Sequence, residues 1–423
     1  MSDAIQPGDD AGLAIVRTSK SVAKKYPSCR FIERALTFFH GRATACCANP
    51  ATGHTPTVAP FDGELSVAAL AEGRANIIER HKRGDIMPEC RGCPRLTEAD
   101  WESESIAPYA IDEITVAHFS SCNIRCNYCY TVTDAEQTAP LSKAPRILPV
   151  FQQLIEQKLL APNAVVKFSG GEPTLSREFE PLLNLLIDYG AHCIVYTNAT
   201  KRSDAILDAI RRDKVELILG IDAATPEIYK AIKKMNYNEK VWKVAAEYCA
   251  AVRPDASKKV WAKFIFCLEN YREAAHFARR AAEAGAQYVY YDFDSSRIPG
   301  RERDDQVYPE IIADYVAVLR HECMKQGIIV EFAQSGMAWL TSEREARIEE
   351  ELERLNRAWN VVETAASSRI SPPRNTMKVA ARRSDALRMS LMAAQAGLVW
   401  LTPELARTIG RELGRCRPAA ATR

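Results

Sequence analysis

No apolar run in this protein approaches the roughly 20 residues a helix needs to cross a bilayer. The first ten residues are polar and acidic, without the apolar region of an export signal. Both absences point to the cytoplasm. Charge imbalance is also missing: 56 Lys and Arg against 54 Asp and Glu leave a net charge of +2. No global field therefore favours nucleic acid or an anionic membrane. No repeat stands out beyond an alternation of strand and helix. What remains is a sequence of 423 residues, 47% hydrophobic, long enough for a large core and more than one domain.

Cysteine is abundant, at 13 residues. Disulfides are rare in a reducing compartment, so clustered cysteines there point to metal. One group is Cys29, Cys46, Cys47, Cys90 and Cys93; a second is Cys122, Cys126 and Cys129. Cys193, Cys249, Cys267, Cys323 and Cys416 are scattered, as small buried core residues often are.

The second group follows the alternating apolar run Ile111 to Phe119, in the stretch Ser121 to Tyr130. Three thiolates from one short loop can hold three irons of a cubane and leave the fourth open to another ligand. The alternative is a zinc loop, although zinc sites usually pair C-x2-C units and close four ligands.

From Ile111 onward, buried-looking strands at Ile111–Phe119, Ala164–Phe168, His192–Tyr196, Val215–Ile221, Lys259–Cys267 and Tyr288–Phe293 alternate with helices. The expected helices are Arg146–Leu160, Ser176–Tyr189, Ser203–Arg212, Pro226–Lys234, Glu239–Val252 and Tyr271–Ala284. This rhythm predicts an α/β fold with a parallel sheet curled into a partial (β/α)6 TIM-like barrel. Function in such barrels collects at the C-terminal strand ends. There lie Ser169-Gly170-Gly171-Glu172-Pro173, Tyr196-Thr197-Asn198 and Gly220-Ile221-Asp222. Gly170 and Gly171 would let a ligand approach the backbone, and Glu172 adds an anionic acceptor. Asn198 and Asp222 are polar candidates for the same ligand, or helix caps; Thr225 before Pro226 is itself a cap candidate. Cys267, at the mouth of the fifth strand, is a candidate hydrogen-atom donor or a buried structural thiol. Arg297, Arg301 and Arg303 are either anion ligands or a solvated loop.

Upstream, Phe31 to Ala45 reads as a β-hairpin turning at His40-Gly41, which sets Cys29 beside Cys46. Cys90-x2-Cys93 supplies the other half of a four-thiol site, with Cys47 an alternative to Cys46. Zinc and iron–sulfur both suit such a set. A loop at 49–63 and a helix over Ser66–Lys82 separate the halves, and Pro94–Pro108 reads as a linker.

The C-x3-C-x2-C loop with an aromatic residue before its last cysteine, followed by Gly-Gly-Glu-Pro at the next strand end, resembles the radical S-adenosylmethionine (SAM) superfamily. The upstream cysteines resemble part of a SPASM-type auxiliary iron–sulfur domain, placed before the core rather than after it. The resemblance implies a [4Fe–4S] cluster on Cys122, Cys126 and Cys129. It implies SAM bound through Gly170, Gly171, Glu172 and Pro173 with Asn198 and Asp222, and an auxiliary cluster on Cys29, Cys46, Cys90 and Cys93. That second cluster would accept an electron from the substrate radical or position the substrate. A reductant such as flavodoxin or ferredoxin is implied as partner. Family members with such modules often modify peptide or protein side chains by oxidation, cross-linking or epimerisation. Others are dehydrogenases or epimerases of carbohydrates or small metabolites. No cobalamin or second-SAM methyltransferase signature is present. A non-catalytic iron–sulfur or zinc scaffold is the reading from another class.

The expected organisation is a lead-in at 1–28, a cysteine-rich β-hairpin module at 29–94, the barrel at 110–335 and a helical extension at 340–423. That extension begins with the charged helix Ser342–Trp359. Its last part, 366–423, is basic, and either contacts a partner or nucleic acid or packs as a solvated helical appendage on the acidic helix.

Overall fold

The computed structural model describes residues 25–46, 54–61, 65–101, 111–129, 140–294, 311–332 and 340–367. Cys47, Arg297, Arg301, Arg303, the lead-in before residue 25 and the basic tail beyond 367 lie outside the described residues.

The N-terminal part opens with strand β1 (Tyr26–Ser28) and a short helix α1 (Arg30–Arg34), followed by β2 (Ala35–Phe39) and β3 (Gly41–Thr44). The hairpin turns where expected, with Gly41 at φ 72°. Its first half is shorter than the sequence suggests, because α1 takes the residues after Cys29. The loop expected at 49–63 contains a strand, β4 (Thr57–Phe61), paired with β3. Helix α2 (Val67–Lys82) begins where Ser66 accepts from the Ala69 amide, as an N-cap should. Part of the expected linker pairs as β5 (Thr97–Ala99) with β1.

The barrel strands are β6 (Ile111–Ala117), β7 (Leu160–Phe168), β8 (His192–Thr197), β9 (Val215–Gly220), β10 (Val260–Phe266), β11 (Tyr288–Phe293) and β12 (Ile329–Phe332). Between them run α3 (Leu148–Glu156), α4 (Phe179–Tyr189), α5 (Asp204–Arg211), α6 (Pro226–Lys233), α7 (Asn238–Ala250), α8 (Ala274–Glu283) and α9 (Ile311–Lys325). Helix α10 (Ser342–Ser367) follows β12. The helix expected to reach Leu160 stops earlier. Lys158 takes a left-handed φ of 57°, and Leu160 already starts β7.

Neighbouring strands from β6 to β12 pair in parallel, giving the partial barrel the sequence predicts. The hairpin module is not separate from it. Strand β2 pairs in parallel with β6, so one sheet of ten strands runs in the open order β12-β11-β10-β9-β8-β7-β6-β2-β3-β4. Each barrel strand alternates between two environments. On β10, Phe264 packs its ring 4.7 Å from Phe277 of α8, whereas Lys263 and Ile265 point to the other side, the lumen, and are half-buried. No described helix is long and apolar enough to cross a membrane.

Candidate active site

The three-cysteine loop leaves the top of β6 and is held from two sides. The Arg125 and Asn127 amides each donate over 3.0 Å to the last carbonyls of α6, on Lys233 and Ile232 respectively. On the other side, the amides of Gly171 and Glu172 donate to Phe119 O and Ser121 O at 2.8 and 2.9 Å. This contact explains the two glycines. A Cβ at Gly170 would stand 2.9 Å from Ala117 Cα and Phe119 O, and one at Gly171 would stand 2.3 Å from Ser121 O. The close approach they permit is therefore to the cysteine loop itself, a backbone neighbour that the sequence pattern does not name.

Glu172 is buried, and its carboxylate is satisfied within the protein. Oε1 accepts from Thr174 N, Thr174 Oγ1 and Thr197 Oγ1, and Oε2 accepts from Asn198 N at 2.8 Å. Burial raises its pKa, against the pull of these donors. Its visible work is to tie the end of β7 to the end of β8, with Pro173 opening a short 3-10 turn alongside. Asn198 then carries that tie to the loop. Its Nδ2 donates to Cys122 Sγ at 3.4 Å and to Asn123 Oδ1 at 2.8 Å, while its Oδ1 accepts from Thr200 N and Oγ1.

Asp222 is neither a helix cap nor a group turned toward open space. With φ 61° and 1% exposure, it accepts from Ile265 N at 2.6 Å, from Tyr128 Oη at 2.5 Å and from Lys233 Nζ. Lys233 also donates to Tyr128 Oη at 2.7 Å. Sequence reasoning missed Lys233, which reads as an ordinary basic residue in the last turn of a helix. Its signal is visible only once α6 docks on the loop. The buried ammonium offsets both the carboxylate and the partial negative charge of the α6 carbonyls that accept from the Arg125 and Asn127 amides. Thr225 does cap α6, accepting from Ile228 N.

Cys267 is fully buried, and burial raises its pKa. It therefore keeps its S–H at neutral pH, as a hydrogen-atom donor would require, but without exposure. Its neighbour Glu269 accepts from Asn127 Nδ2 at 2.7 Å.

The residues present fit a thiolate-held cluster with a ligand beside it. Cys122 is exposed on the loop, and Cys126 and Cys129 are half-buried. Burial pushes the Cys126 thiol up, a cost that a bound cation removes because the ligating form is the thiolate. Two buried acceptors, Asn127 Oδ1 and Glu269 Oε2, have no donor among the described residues. Such a pair suits a ligand bearing N–H or O–H groups.

Four of the upstream cysteines also come together. Cys29, Cys46, Cys90 and Cys93 line one concavity of about 360 Å³, open to solvent, with Glu89, Arg95 and apolar neighbours. Burial raises Cys29 and pushes Cys90 up to about 12, with the nearby thiols adding to both. No three described His, Cys, Asp or Glu side chains converge closely enough to share one ion.

The place of this concavity in the sheet is informative. Thr44 pairs with Thr37, so Cys46 lies level with Ala35, which pairs with Glu113 at the base of β6. The three-cysteine loop begins beyond Ala117, at the top. Four residues of strand and two strand spacings separate the sites by at least ~16 Å, at about 3.3 Å per residue and 4.8 Å per strand. The two sites are therefore separate centres, at opposite ends of the strands.

Residues 116–294 match the family model of the Radical SAM superfamily. That stretch is similar to a class whose cofactors are a [4Fe–4S] cluster and SAM. Among curated proteins, a probable GTP 3',8-cyclase of Pyrococcus abyssi (strain GE5 / Orsay) is 24% identical over 140 residues, 29% of this protein and 43% of the relative. The molybdenum cofactor biosynthesis protein 1 of Dictyostelium discoideum is 29% identical over 171 residues, 34% of this protein and 26% of the relative. The matched stretch thus spans less than half of either relative. Among solved structures, Streptococcus suis SuiB bound to precursor peptide SuiA aligns at TM-score 0.43 and 12% identity, covering 74% of each protein. Native anSMEcpe with bound AdoMet aligns at TM-score 0.42 and 15% identity, over 52% of this protein and 64% of that one.

Proposed function

We propose that this protein is a radical SAM enzyme that abstracts a hydrogen atom from a peptide or protein side chain held in the barrel lumen. The observation that carries the chemistry is the docking of the three-cysteine loop between the Gly170-Gly171-Glu172-Pro173 strand end and the end of α6. Cys122, Cys126 and Cys129 hold the cluster. The Gly170–Pro173 segment, Asn198 and the orphaned acceptors Asn127 Oδ1 and Glu269 Oε2 form the SAM side of the site. When bound, the cluster and SAM supply the 5′-deoxyadenosyl radical that takes the hydrogen atom.

The protein does the rest. Glu172 and Asn198 fix the loop to two strand ends, Asp222 and Lys233 fix it to α6, and the buried strand mouths exclude water. Among the described residues the sheet is open, from β12 at one edge to β4 at the other. An open sheet gives an extended peptide a way past the reacting residue on both sides, which a closed barrel would not. This favours a peptide over a small carbohydrate or metabolite. The four-thiol concavity at the base of the sheet is assigned to an auxiliary metal centre that staples the N-terminal module and stands apart from the substrate.

The test uses anaerobically reconstituted, reduced protein with SAM and size-fractionated extract of the native host. Release of 5′-deoxyadenosine stimulated by the peptide-sized fraction is the expected result. Stimulation confined to small metabolites would replace the peptide reading by a dehydrogenase or epimerase.

A further inference from the structure

The lumen face of the sheet is lined with charged and aromatic side chains, and most of its charges are neutralised close by. Lys167 Nζ donates to Glu113 at 2.7 Å, and Lys259 Nζ to Glu331 at 3.3 Å. His192 stands 3.7 Å from Glu216, which also accepts from Trp261 Nε1 at 2.7 Å. Lys263 differs. Its side chain is 16% exposed, and its ion pair with Asp292 Oδ2 is a loose one, at 3.9 Å and beyond hydrogen-bond distance. Among the described residues it has no hydrogen-bond acceptor. The ammonium instead stands between two rings, 6.0 Å from the centroid of Tyr196 and 5.5 Å from that of Tyr290.

The surroundings leave room and donors for a ligand. Lys263 pairs across the sheet with Gly220, whose missing side chain faces the same lumen. A Cβ built at Gly220 would meet nothing nearer than Thr197 O at 3.7 Å. The Tyr196 and Tyr290 hydroxyls lie near each other, and either O–H can turn to donate to a ligand. Burial keeps both phenols protonated, pushing Tyr196 up to about 12. The group sits high in the lumen. Tyr196 is two residues before Asn198, which donates to Cys122, and Gly220 is two residues before Asp222, which accepts from Tyr128.

We infer that Lys263, with a tyrosine hydroxyl from the Tyr196–Tyr290 pair, is a substrate-binding site for a carboxylate, set in the space left by Gly220 directly beneath the three-cysteine loop. A part-buried ammonium with unspent N–H groups is an incomplete pairing, and an entering carboxylate completes it with charge-assisted hydrogen bonds. The aromatic walls hold the methylenes next to that carboxylate. Asp292, held in part by the Phe293 amide at 2.9 Å, bounds the site and repels a second negative charge. A monoanionic carboxylate therefore fits better than a phosphate dianion. Within the peptide reading, this selects an acidic side chain or a peptide C-terminus next to the reacting carbon. The inference rests on the lumen being the substrate's place, not on the substrate being a peptide.

The test is a binding titration, independent of turnover. Full-length reconstituted protein with SAM is titrated with N-acetylglutamate, its neutral isostere N-acetylglutamine and inorganic phosphate, followed by tryptophan and tyrosine fluorescence and by calorimetry. The wild type is expected to prefer N-acetylglutamate over N-acetylglutamine by on the order of ten-fold or more, the value of a charge-assisted pair. Lys263→Met should abolish the preference with SAM binding unchanged, Lys263→Arg should retain part of it, and Tyr290→Phe should weaken it. Equal binding of the two acetylated probes, no binding of N-acetylglutamate, an undiminished preference in a folded Lys263→Met, or binding of phosphate alone would each overturn the assignment. Failure of the peptide reading would leave this titration unchanged, because N-acetylglutamate is not a peptide.

Discussion

The side-chain amide of Asn198 donates to Cys122 Sγ at 3.4 Å, while the backbone amide of the same residue donates to Glu172 at 2.8 Å. One residue thus joins the Gly-Gly-Glu-Pro strand end to a sulfur of the candidate cluster. Asn198→Ala should keep the fold, lose iron faster under chelation, and lower SAM cleavage by roughly ten-fold or more, as loss of an outer-shell partner typically does. Timed iron release and 5′-deoxyadenosine yield measure the two effects separately.

Gly171→Ala tests the close approach. The added methyl carbon would meet Ser121 O at 2.3 Å, so the backbone must shift at the place where the loop docks. A destabilisation of about 1–3 kcal/mol is expected, together with poor cluster incorporation. Denaturant unfolding and iron and sulfide content check both.

Much of the fold and of the candidate site was legible in the sequence, and the reason is local. The Cys122–Cys129 spacing, the Gly170–Pro173 segment and the β/α rhythm are short-range patterns, and chemistry constrains them at short range. What escaped were relationships made by packing. The pairing of β2 with β6 merges the module with the barrel, and alternation of apolar residues cannot announce which strand lies beside which. The burial of Lys233 depends on where the end of α6 lands. The placing of Lys263 against Tyr196 and Tyr290 depends on how the strands curl. The strand β4 was hidden by the Pro and Gly content of its flanks.

Lys233→Met should be severe. The lysine is 2% exposed and pairs with an equally buried Asp222, so removing the cation leaves an uncompensated carboxylate. Loss of about 3–5 kcal/mol is expected. Asp222→Asn with Lys233→Met together should recover part of it, and thermal unfolding of the single and double variants tests this.

His118 gives the protein an acid limit. It is 3% exposed, edge-on to Phe119 at 5.1 Å, and burial pushes its pKa down to about 4. The unfolded state, with an ordinary imidazole near 6.5, binds the extra proton more readily. Stability contributed by neutral His118 is therefore present above about pH 6.5 and lost as pH falls toward 4, by a few kcal/mol in order of magnitude. His118→Phe should flatten unfolding free energy between pH 4 and 6.5, in a titration at constant ionic strength.

The base of the sheet should behave independently of its top. Cys93→Ser should lower metal content and melting temperature while leaving the spectroscopic signature of the cluster on Cys122, Cys126 and Cys129 in place. Electron paramagnetic resonance of the reduced protein, with and without SAM, distinguishes the two centres.

The three-cysteine loop is the place where SAM cleavage must occur if the proposed function is right. The most direct measurement is 5′-deoxyadenosine release by reduced, reconstituted protein, comparing wild type with Cys126→Ala. Release by the wild type and none by the variant is the predicted result. Equal release by both, or none by a wild type whose cluster is demonstrably reduced, would contradict it.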